Sequence, residues 1–599
     1  MMMFTLSATL RAILLLSPTL TLYGCGDARD LSAKEISSAS SSPQPFNLLS
    51  IEVSDSGIAT FDWDDSSGAS EYIICKKNDS QNNECEELLT VTSGTTGTVN
   101  IGSILETAVS EYFILAKNEE LVTLSNKRSI ESSELANLIT YVKASNTNSS
   151  DNFGNSISLS ADGNTLAVGA DREDSNSTSL NGDQANDDAT TSGAVYLFRY
   201  KSNQWSQQAY IKAPNAEASD TFGSSVSLSS DGNTLVVGAQ GEEGGVPGIN
   251  GDPTDNSIPN AGAAYIFTFD GTDWNHQTYV KASNPGDGDH FGIAVALSPD
   301  GSTLAVGADG ESSDLNGTYA LSPVDNDLYS DAGAVYLFRY NGSNWIQEAY
   351  IKASNTESSD RFGSSLSLSH NGNTLAVGAK DEDSAATGVN GDQFNNDSFS
   401  SGAVYLFRFD GSNWIQQAYI KASDTSSSGY FGASVSLSSN GNLLGVGGYG
   451  QNSRNGAAYV YQFDGSDWSE QAYLTASNAE SFDYFGNSVA LSPEGNSLLV
   501  GAFSEGSNSI GVNGEQTDNS AGSSGAAYLF RFDGSLWKQE FYIKPSNTES
   551  LDRFGLSVSL SSNGSRFAIS TERESSSATG INGDQSDNSA SSSGAVYIY

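Results

Sequence analysis

From Tyr141 onward the chain alternates apolar and polar residues in short runs, and the same order of runs returns seven times. A run such as Val226-Ser227-Leu228-Ser229 repeats with period two, the pattern of a strand that buries one face. Each copy holds four such stretches, W-x-x-Q-x-Y-I-K-A, F-G-x-S-V-S-L-S, T-L-A-V-G-A and A-V-Y-L-F-R-F, rich in β-branched and aromatic residues. The F-G pairs fall at Phe153-Gly154, Phe222-Gly223, Phe291-Gly292, Phe362-Gly363, Phe431-Gly432, Phe485-Gly486 and Phe554-Gly555. Self-similarity at a fixed period, with several strands per unit, predicts an array of β-sheets.

Two joints in each copy are tight. Asp162-Gly163, Asp231-Gly232, Asp300-Gly301, Asn371-Gly372, Asn440-Gly441, Glu494-Gly495 and Asn563-Gly564 join the F-G strand to the V-G-A strand. Asn341-Gly342 and Asp410-Gly411 close the A-V-Y strand onto the Trp strand, as hairpins require. Each copy is therefore expected to be one blade, and the fold class all-β: a seven-bladed β-propeller of four-stranded antiparallel blades preceded by a small β-sandwich. Trp205, Trp274, Trp345, Trp414, Trp468 and Trp537 supply six Trp strands, whereas repeat seven reaches Tyr599 without one. Leu138 to Ala144 matches the Y-I-K-A stretch, so the strand at 135–144 is expected to complete the last blade and remove its exposed edge.

F-G followed by V-G-A, over residues 135–599, resembles the FG-GAP repeats of integrin alpha chains and bacterial surface proteins. The resemblance implies a propeller used for extracellular recognition, with no catalysis in the ring. The chain departs from integrins where their calcium hairpins, D-x-D-x-D-G-x-x-D in form, lie between the F-G and G-A-P strands. Only S-x-D-G-N or a variant stands there, too few oxygens for calcium, and that site is not carried over. G-A-P itself reads G-A-D, G-A-Q, G-A-K or G-G-Y, and Ser570-Thr571 in repeat seven.

The long loops before G-A-V-Y share another phrase. Asp183, Asp252, Asp392, Glu515 and Asp584 follow Asn-Gly, with Asp187, Asp255, Asp518 and Asp587 a few residues on. Asp151, Asp220, Asp289, Asp360, Asp483 and Asp552 stand two residues before Phe. Repeat five has Gly429 there and also lacks the long loop, passing from Gly450 to Gly456, which ties the two features together. Repeat three keeps Asp289 but reads Asn316-Gly317-Thr318, a degraded version. Two explanations stand: turn residues capping their own backbone, or oxygen-rich calcium loops using Asp151, Asp183, Asp187, Asp220, Asp252, Asp255, Asp360, Asp392, Asp483, Glu515, Asp518, Asp552, Asp584 and Asp587. Calcium is the one candidate cofactor.

Residues 46–130 lack the repeat and carry shorter strands, at Ile58 to Trp63, Glu71 to Cys75, Val99 to Ile101 and Glu111 to Ala116. An early Trp strand, then a Tyr strand and a Y-x-I-x-A strand, resembles a fibronectin type III sandwich, for which a spacer role is expected. Cys75 and Cys85 form an even pair, read as a disulfide in an exported protein and worth roughly 3 kcal/mol on the chain-entropy model. Residues 1–25 read as an export signal, with Arg11 before a short apolar run. Leu22-Tyr23-Gly24-Cys25 resembles a lipoprotein box, which implies lipidation at Cys25; a simple cleaved signal is the alternative. The Ser-rich stretch at 26–45 reads as a tether. Gly26 rather than Asp after the cysteine resembles, in a Gram-negative envelope, the sorting preference for the outer membrane, so the expected address is the cell envelope or surface, with the lipid as the only membrane contact.

A net charge of −45 argues against nucleic acid, which needs a basic face. His276, His290 and His370 sit in different repeats without Cys or His partners nearby, and no G-x-S-x-G elbow precedes a helix, so no enzyme is expected. Two functions remain: a surface-anchored adhesion or interaction protein using the long-loop face, or a glycan-binding propeller in which Tyr319, Tyr329 and Phe394 stack on sugar.

Overall fold

The computed structural model describes residues 42–77, 85–119, 121–320 and 327–599; Cys25, the signal and the tether up to residue 41 lie outside the described residues. In repeat two, Phe222–Leu228, Thr234–Ala239, Ala263–Phe269 and Trp274–Val280 pair in that order, antiparallel throughout. Repeats one, four, five and six form the same four-stranded sheet. The tight turn holds because Asp231 Oδ1 accepts the Asn233 N–H at 3.0 Å and the Ser229 hydroxyl at 2.6 Å, while Gly232 takes φ 63°.

Repeat seven contributes Val558–Leu560, Phe567–Thr571 and Ala595–Ile598, and its fourth strand is Thr140–Val142. Val142 pairs with Val596, Tyr141 with Tyr597 and Thr140 with Ile598. In repeat three the long loop adds a fifth strand, Gly317–Tyr319, along Trp345–Lys352. Elsewhere single bridges do the same, Ile249 to Val280, Val389 to Ile420 and Val512 to Ile543. The sequence pattern did not anticipate this edge pairing, because the loop segments are too short to show a period.

The signature glycines stand where one sheet's backbone lies against the next. A Cβ on Gly169 would fall 2.1 Å from the Gly223 carbonyl oxygen, and one on Gly193 2.1 Å from that of Phe222. No side chain fits in that space. Phe222 itself is fully buried and meets Tyr265 edge-on at 5.3 Å, which meets Tyr279 at 5.3 Å. Burying one such ring stabilises by roughly 1.5–3 kcal/mol.

The F-G strand of each sheet lies beside that of the next repeat, so these strands are the innermost. Their serines bridge sheets. Ser158 Oγ accepts the Leu228 N–H at 3.0 Å, Ser227 that of Leu297 at 3.0 Å, Ser367 that of Leu437 at 2.9 Å and Ser436 that of Leu491 at 2.9 Å. Ser559 in repeat seven accepts from Leu159 in repeat one at 2.9 Å. Ala296 and Ala490 occupy the same place in repeats three and six and offer no hydroxyl. An edge strand's unpaired backbone donors are thus met by side chains of its neighbour.

Ahead of the repeats, Leu48–Val53, Ile58–Trp63 and Thr96–Asn100 form one sheet; Cys85–Val91, Glu71–Lys77, Tyr112–Asn118 and Leu121–Leu124 form a second. Cys75 and Cys85 are joined as a disulfide, and Trp63 packs on Tyr72 at 5.4 Å. The connection to the repeats is itself packed: Glu134 accepts the Val53 N–H at 2.7 Å, and Leu135, Ala136 and Ile139 share one core cluster with Val512 and Ile543.

Candidate functional site

The long loops and the crossovers into each F-G strand emerge on one face. Beneath it lies a buried ion pair that recurs from repeat to repeat. Lys212 Nζ sits 2.9 Å from Glu173 Oε2; the equivalents are Lys281–Glu242 at 2.7 Å, Lys352–Glu311 at 2.5 Å, Lys421–Glu382 at 2.7 Å, Lys544–Glu505 at 3.0 Å and Lys143–Glu574 at 2.8 Å. Glu173 also accepts from Tyr210 at 2.8 Å, from Asn146 at 2.9 Å and from the Ser175 N–H at 3.2 Å. Burial lowers the pKa of Lys212, and the Glu173 carboxylate opposes that shift. Asn146 comes from the preceding crossover and also accepts the Tyr196 hydroxyl at 2.5 Å, tying the chain that enters the sheet to its centre. Every polar atom of the pair is engaged, so the arrangement is a staple and not a reaction centre.

Sequence reasoning missed these pairs, although a signal existed. Repeat five replaces both partners, carrying Gln451 for the glutamate and Thr475 for the lysine. Gln451 fills the space left open at Gly429, where a Cβ would meet its Nε2 at 2.5 Å. The joint loss in repeat five therefore includes the ion pair as well as the Asp and the long loop.

The aspartates two residues before Phe are buried. Asp151 accepts the Asn148 N–H at 2.8 Å, Asp220 that of Glu217 at 2.7 Å, Asp360 that of Glu357 at 3.1 Å, Asp483 that of Glu480 at 2.7 Å and Asp552 that of Glu549 at 3.1 Å. Burial first, and the nearby glutamate of the staple, push Asp360 up to about 8; Asp151 and Asp552 are raised to about 8, Asp220 to about 7 and Asp483 to about 6, burial leading in each.

The Asn-Gly-Asp acids do something else. Asp183 accepts the Ala185 N–H at 2.9 Å, Asp252 the Thr254 N–H at 3.0 Å, Asp392 the Phe394 N–H at 3.1 Å, Glu515 the Thr517 N–H at 2.9 Å and Asp584 the Ser586 N–H at 2.9 Å, each closing its own turn. Asp255 accepts from Gly245 at 3.0 Å, Asp518 from Ser520 at 3.0 Å and Asp587 from Ser589 at 3.0 Å; Asp187 accepts from Asn148 at 3.2 Å. The loop and the buried aspartate thus communicate at one remove, through the residue three before the aspartate: Asn256 donates to Glu217 and Asn588 to Glu549, both at 2.6 Å. Among the described residues no group of three or more His, Cys, Asp or Glu side chains is arranged to hold a metal ion. As folded, the loop acids are engaged in closing their own turns.

At the axial end of this face the repeats differ residue by residue. The residue between Asp and Phe is Asn152, Thr221, His290, Arg361, Tyr484 or Arg553, with Tyr430 in repeat five, and all have positive φ, from 50° to 65°. For side chains such as these that conformation costs roughly 1–2 kcal/mol each, and glycine would adopt it freely. The residue closing the V-G-A strand varies in step: Asp171, Gln240, Asp309, Lys380, Tyr449, Phe503 and Glu572. These positions meet across repeats. Tyr430 stacks on Tyr449 at 4.8 Å, Tyr449 meets Tyr484 edge-on at 5.9 Å, and Tyr484 stacks on Phe503 at 5.0 Å. Arg553 lies over Phe503 at 5.5 Å and pairs with Glu572 at 3.1 Å. On the other flank Asp309 stands between His290 at 3.4 Å and Arg361 at 3.7 Å. Asp309 holds the His290 pKa above its usual value.

The aromatic residues singled out in the long loops are not gathered. Tyr319 packs on Tyr350 at 6.3 Å, while Tyr329 and Phe394 are exposed, and no ring contact joins them.

Five stretches of the chain, 139–198, 205–267, 345–407, 414–461 and 468–530, match the FG-GAP repeat family model. No curated protein matches the chain. Among solved structures, the chain is similar to hydrazine synthase of Kuenenia stuttgartiensis, with 12% identity over 71% of this chain and 93% of that one, at TM-score 0.41. It is also similar to an oligogalacturonate lyase in complex with manganese (10% identity, 81% and 95% covered, TM-score 0.38) and to TolB of Acinetobacter baumannii (9% identity, 74% and 77% covered, TM-score 0.31). The strand signature that repeats along the chain, the glycines that let successive sheets touch and the matched stretches agree: this chain carries FG-GAP repeats, and its repeat region is an FG-GAP β-propeller.

Proposed function

We infer that the protein is an exported recognition protein, held at the cell envelope by a lipid on Cys25, which presents the long-loop face of a closed seven-bladed ring to a protein partner. The observation that carries this reading is the distribution of differences among the repeats. Residues that build the sheets recur, whereas those at the axial end of the long-loop face vary in charge and size and sit in a costly backbone conformation. Variable side chains on a rigid scaffold are the usual form of a binding surface. The sandwich, of fibronectin type III kind, acts as spacer above a Ser-rich tether, and the ring performs no catalysis.

A second reading, glycan recognition, is favoured by the Tyr430, Tyr449, Tyr484 and Phe503 arc. Ring closure rests on Thr140–Val142 as the outer strand of repeat seven and on the Ser559 to Leu159 bridge. Deleting 135–144 is expected to lower the melting temperature far more than loss of a peripheral strand would, and an unchanged melt would count against closure.

The function is tested by probing a panel of immobilised extracellular proteins and a glycan array with residues 46–599. Saturable binding to a protein, weakened by substitution on the long-loop face, supports the first reading. Hits confined to glycans support the second. Turnover of a glycan or peptide by the folded protein would overturn both.

A further inference from the structure

The axial end of the long-loop face has a chemistry unlike the rest of the molecule. In a chain of net charge −45, the neighbourhood of the aromatic arc carries Arg361, Lys380, Arg454 and Arg553, against Asp309, Asp381 and Glu572 as the acids nearest to them. Most other cations of the repeats are committed elsewhere: the lysines of the staples are buried, and Arg199, Arg339 and Arg408 on the tight-turn side each stack on an aromatic ring of the next repeat. Lys380 makes no ion pair among the described residues, and Arg361 reaches its carboxylates only at 3.6 and 3.7 Å. This local basic excess lies against the stacked pairs Tyr430–Tyr449 and Tyr484–Phe503, which are part-exposed.

From that juxtaposition we propose that the axial mouth binds an acidic saccharide, the pyranose ring lying on the aromatic arc and the carboxylate meeting Arg361, Lys380 or Arg553. A sugar ring offers C–H groups to an aromatic face and hydroxyls to the intervening carboxylates. Its acid group is drawn to the one part of this face where cations collect. The surrounding loops are acidic, so a long polyanion lying across the face is repelled while a chain end entering along the axis is not. The positive φ at Arg361, Tyr430, Tyr484 and Arg553 fits the same account, since a glycine would relieve the strain and remove the contact. The inference narrows the second functional reading to one place and one ligand class. A protein partner bound elsewhere on the face would leave it untouched, so the two can fail separately.

The test is titration calorimetry of residues 46–599 with a glucuronic acid hexamer and with the matched glucose hexamer. Binding of the uronate at least tenfold tighter than the neutral hexamer, weakening as salt rises from 50 to 500 mM, is the expected result. Lys380→Glu and Tyr484→Ala should each lower uronate affinity tenfold or more. Phe394→Ala, in an exposed long loop, should leave it unchanged. Lys380 is part-exposed and unpaired, so its reversal tests charge without threatening the core, and unchanged melting temperatures verify both variants. Equal affinity for the two hexamers, no binding of either by folded protein, preference for an acidic peptide such as hexaglutamate, or full binding by both variants would each overturn the proposal.

Discussion

Lys212 Nζ lies 2.9 Å from Glu173 Oε2, and neither side chain reaches solvent. The same pair returns in every repeat except the fifth, where Gln451 and Thr475 replace both partners. A charge left alone in such a place has no water to turn to. Lys212→Ala is expected to destabilise its sheet by about 3–5 kcal/mol. The double change Glu173→Gln, Lys212→Thr, which copies repeat five, should cost clearly less than the single change. Urea denaturation of the three proteins measures the difference, and a double variant weaker than the single would refute the staple.

The buried aspartates set a pH dependence. Asp360, Asp151 and Asp552 are raised to about 8, Asp220 to about 7 and Asp483 to about 6, all above the usual value of 3.8. The folded chain therefore keeps protons that the unfolded chain has released, and stability falls as pH rises between about 4 and 8. The melting temperature should decline steadily from pH 5 to pH 8.5. Asp360→Asn keeps an acceptor for the Glu357 N–H, so it should melt higher than the parent at pH 8.5 and show a shallower slope.

The serine bridges are testable by addition. Ala296 and Ala490 hold the places where Ser158, Ser227, Ser367, Ser436 and Ser559 accept an N–H from the next innermost strand. Ala296→Ser should gain about 0.5–1.5 kcal/mol, the net worth of one hydrogen bond, and Ser227→Ala should lose a similar amount or somewhat more. Thermal melts of the two variants should move in opposite directions.

The sheets were readable because strand periodicity, hairpin dipeptides and the Trp count act locally, and repetition averages out the noise in any one copy. Counting Trp strands also pointed to the N-terminal segment as the fourth strand of repeat seven, though not to its register, in which Tyr141 pairs with Tyr597. The strands Leu48–Val53, Cys85–Val91 and Leu121–Leu124 were not foreseen, since each runs in a single copy and none alternates cleanly. The role of S-x-S was hidden too, because a serine that bridges two sheets has the same periodicity as one that faces water. At the site, the joint loss in repeat five pointed to a real unit, yet the unit's centre is the Lys–Glu pair, and the loop acids close their own turns. The axial cluster escaped because its members are defined by differing from copy to copy, and a search for shared phrases discards such positions.

Calcium offers a clean discriminator between turn-closing acids and ion ligands. Asp252, Asp392, Glu515 and Asp584 each already accept a backbone N–H two residues on. Residues 46–599 should accordingly melt at the same temperature in 5 mM calcium and in excess chelator. An upward shift of several degrees with calcium would restore the ion-loop explanation.

The central claim is that this propeller works as a binding surface at the axial end of its long-loop face. Hydrogen exchange of residues 46–599, alone and saturated with whichever protein or glycan the panels retrieve, tests it most directly. The account predicts slowed exchange in the crossovers that carry Arg361, Tyr430, Tyr484 and Arg553, with no change at the tight turns around Gly232, Gly372 and Gly441. Protection confined to those tight turns or to the sandwich, with the crossovers unaffected, would contradict it.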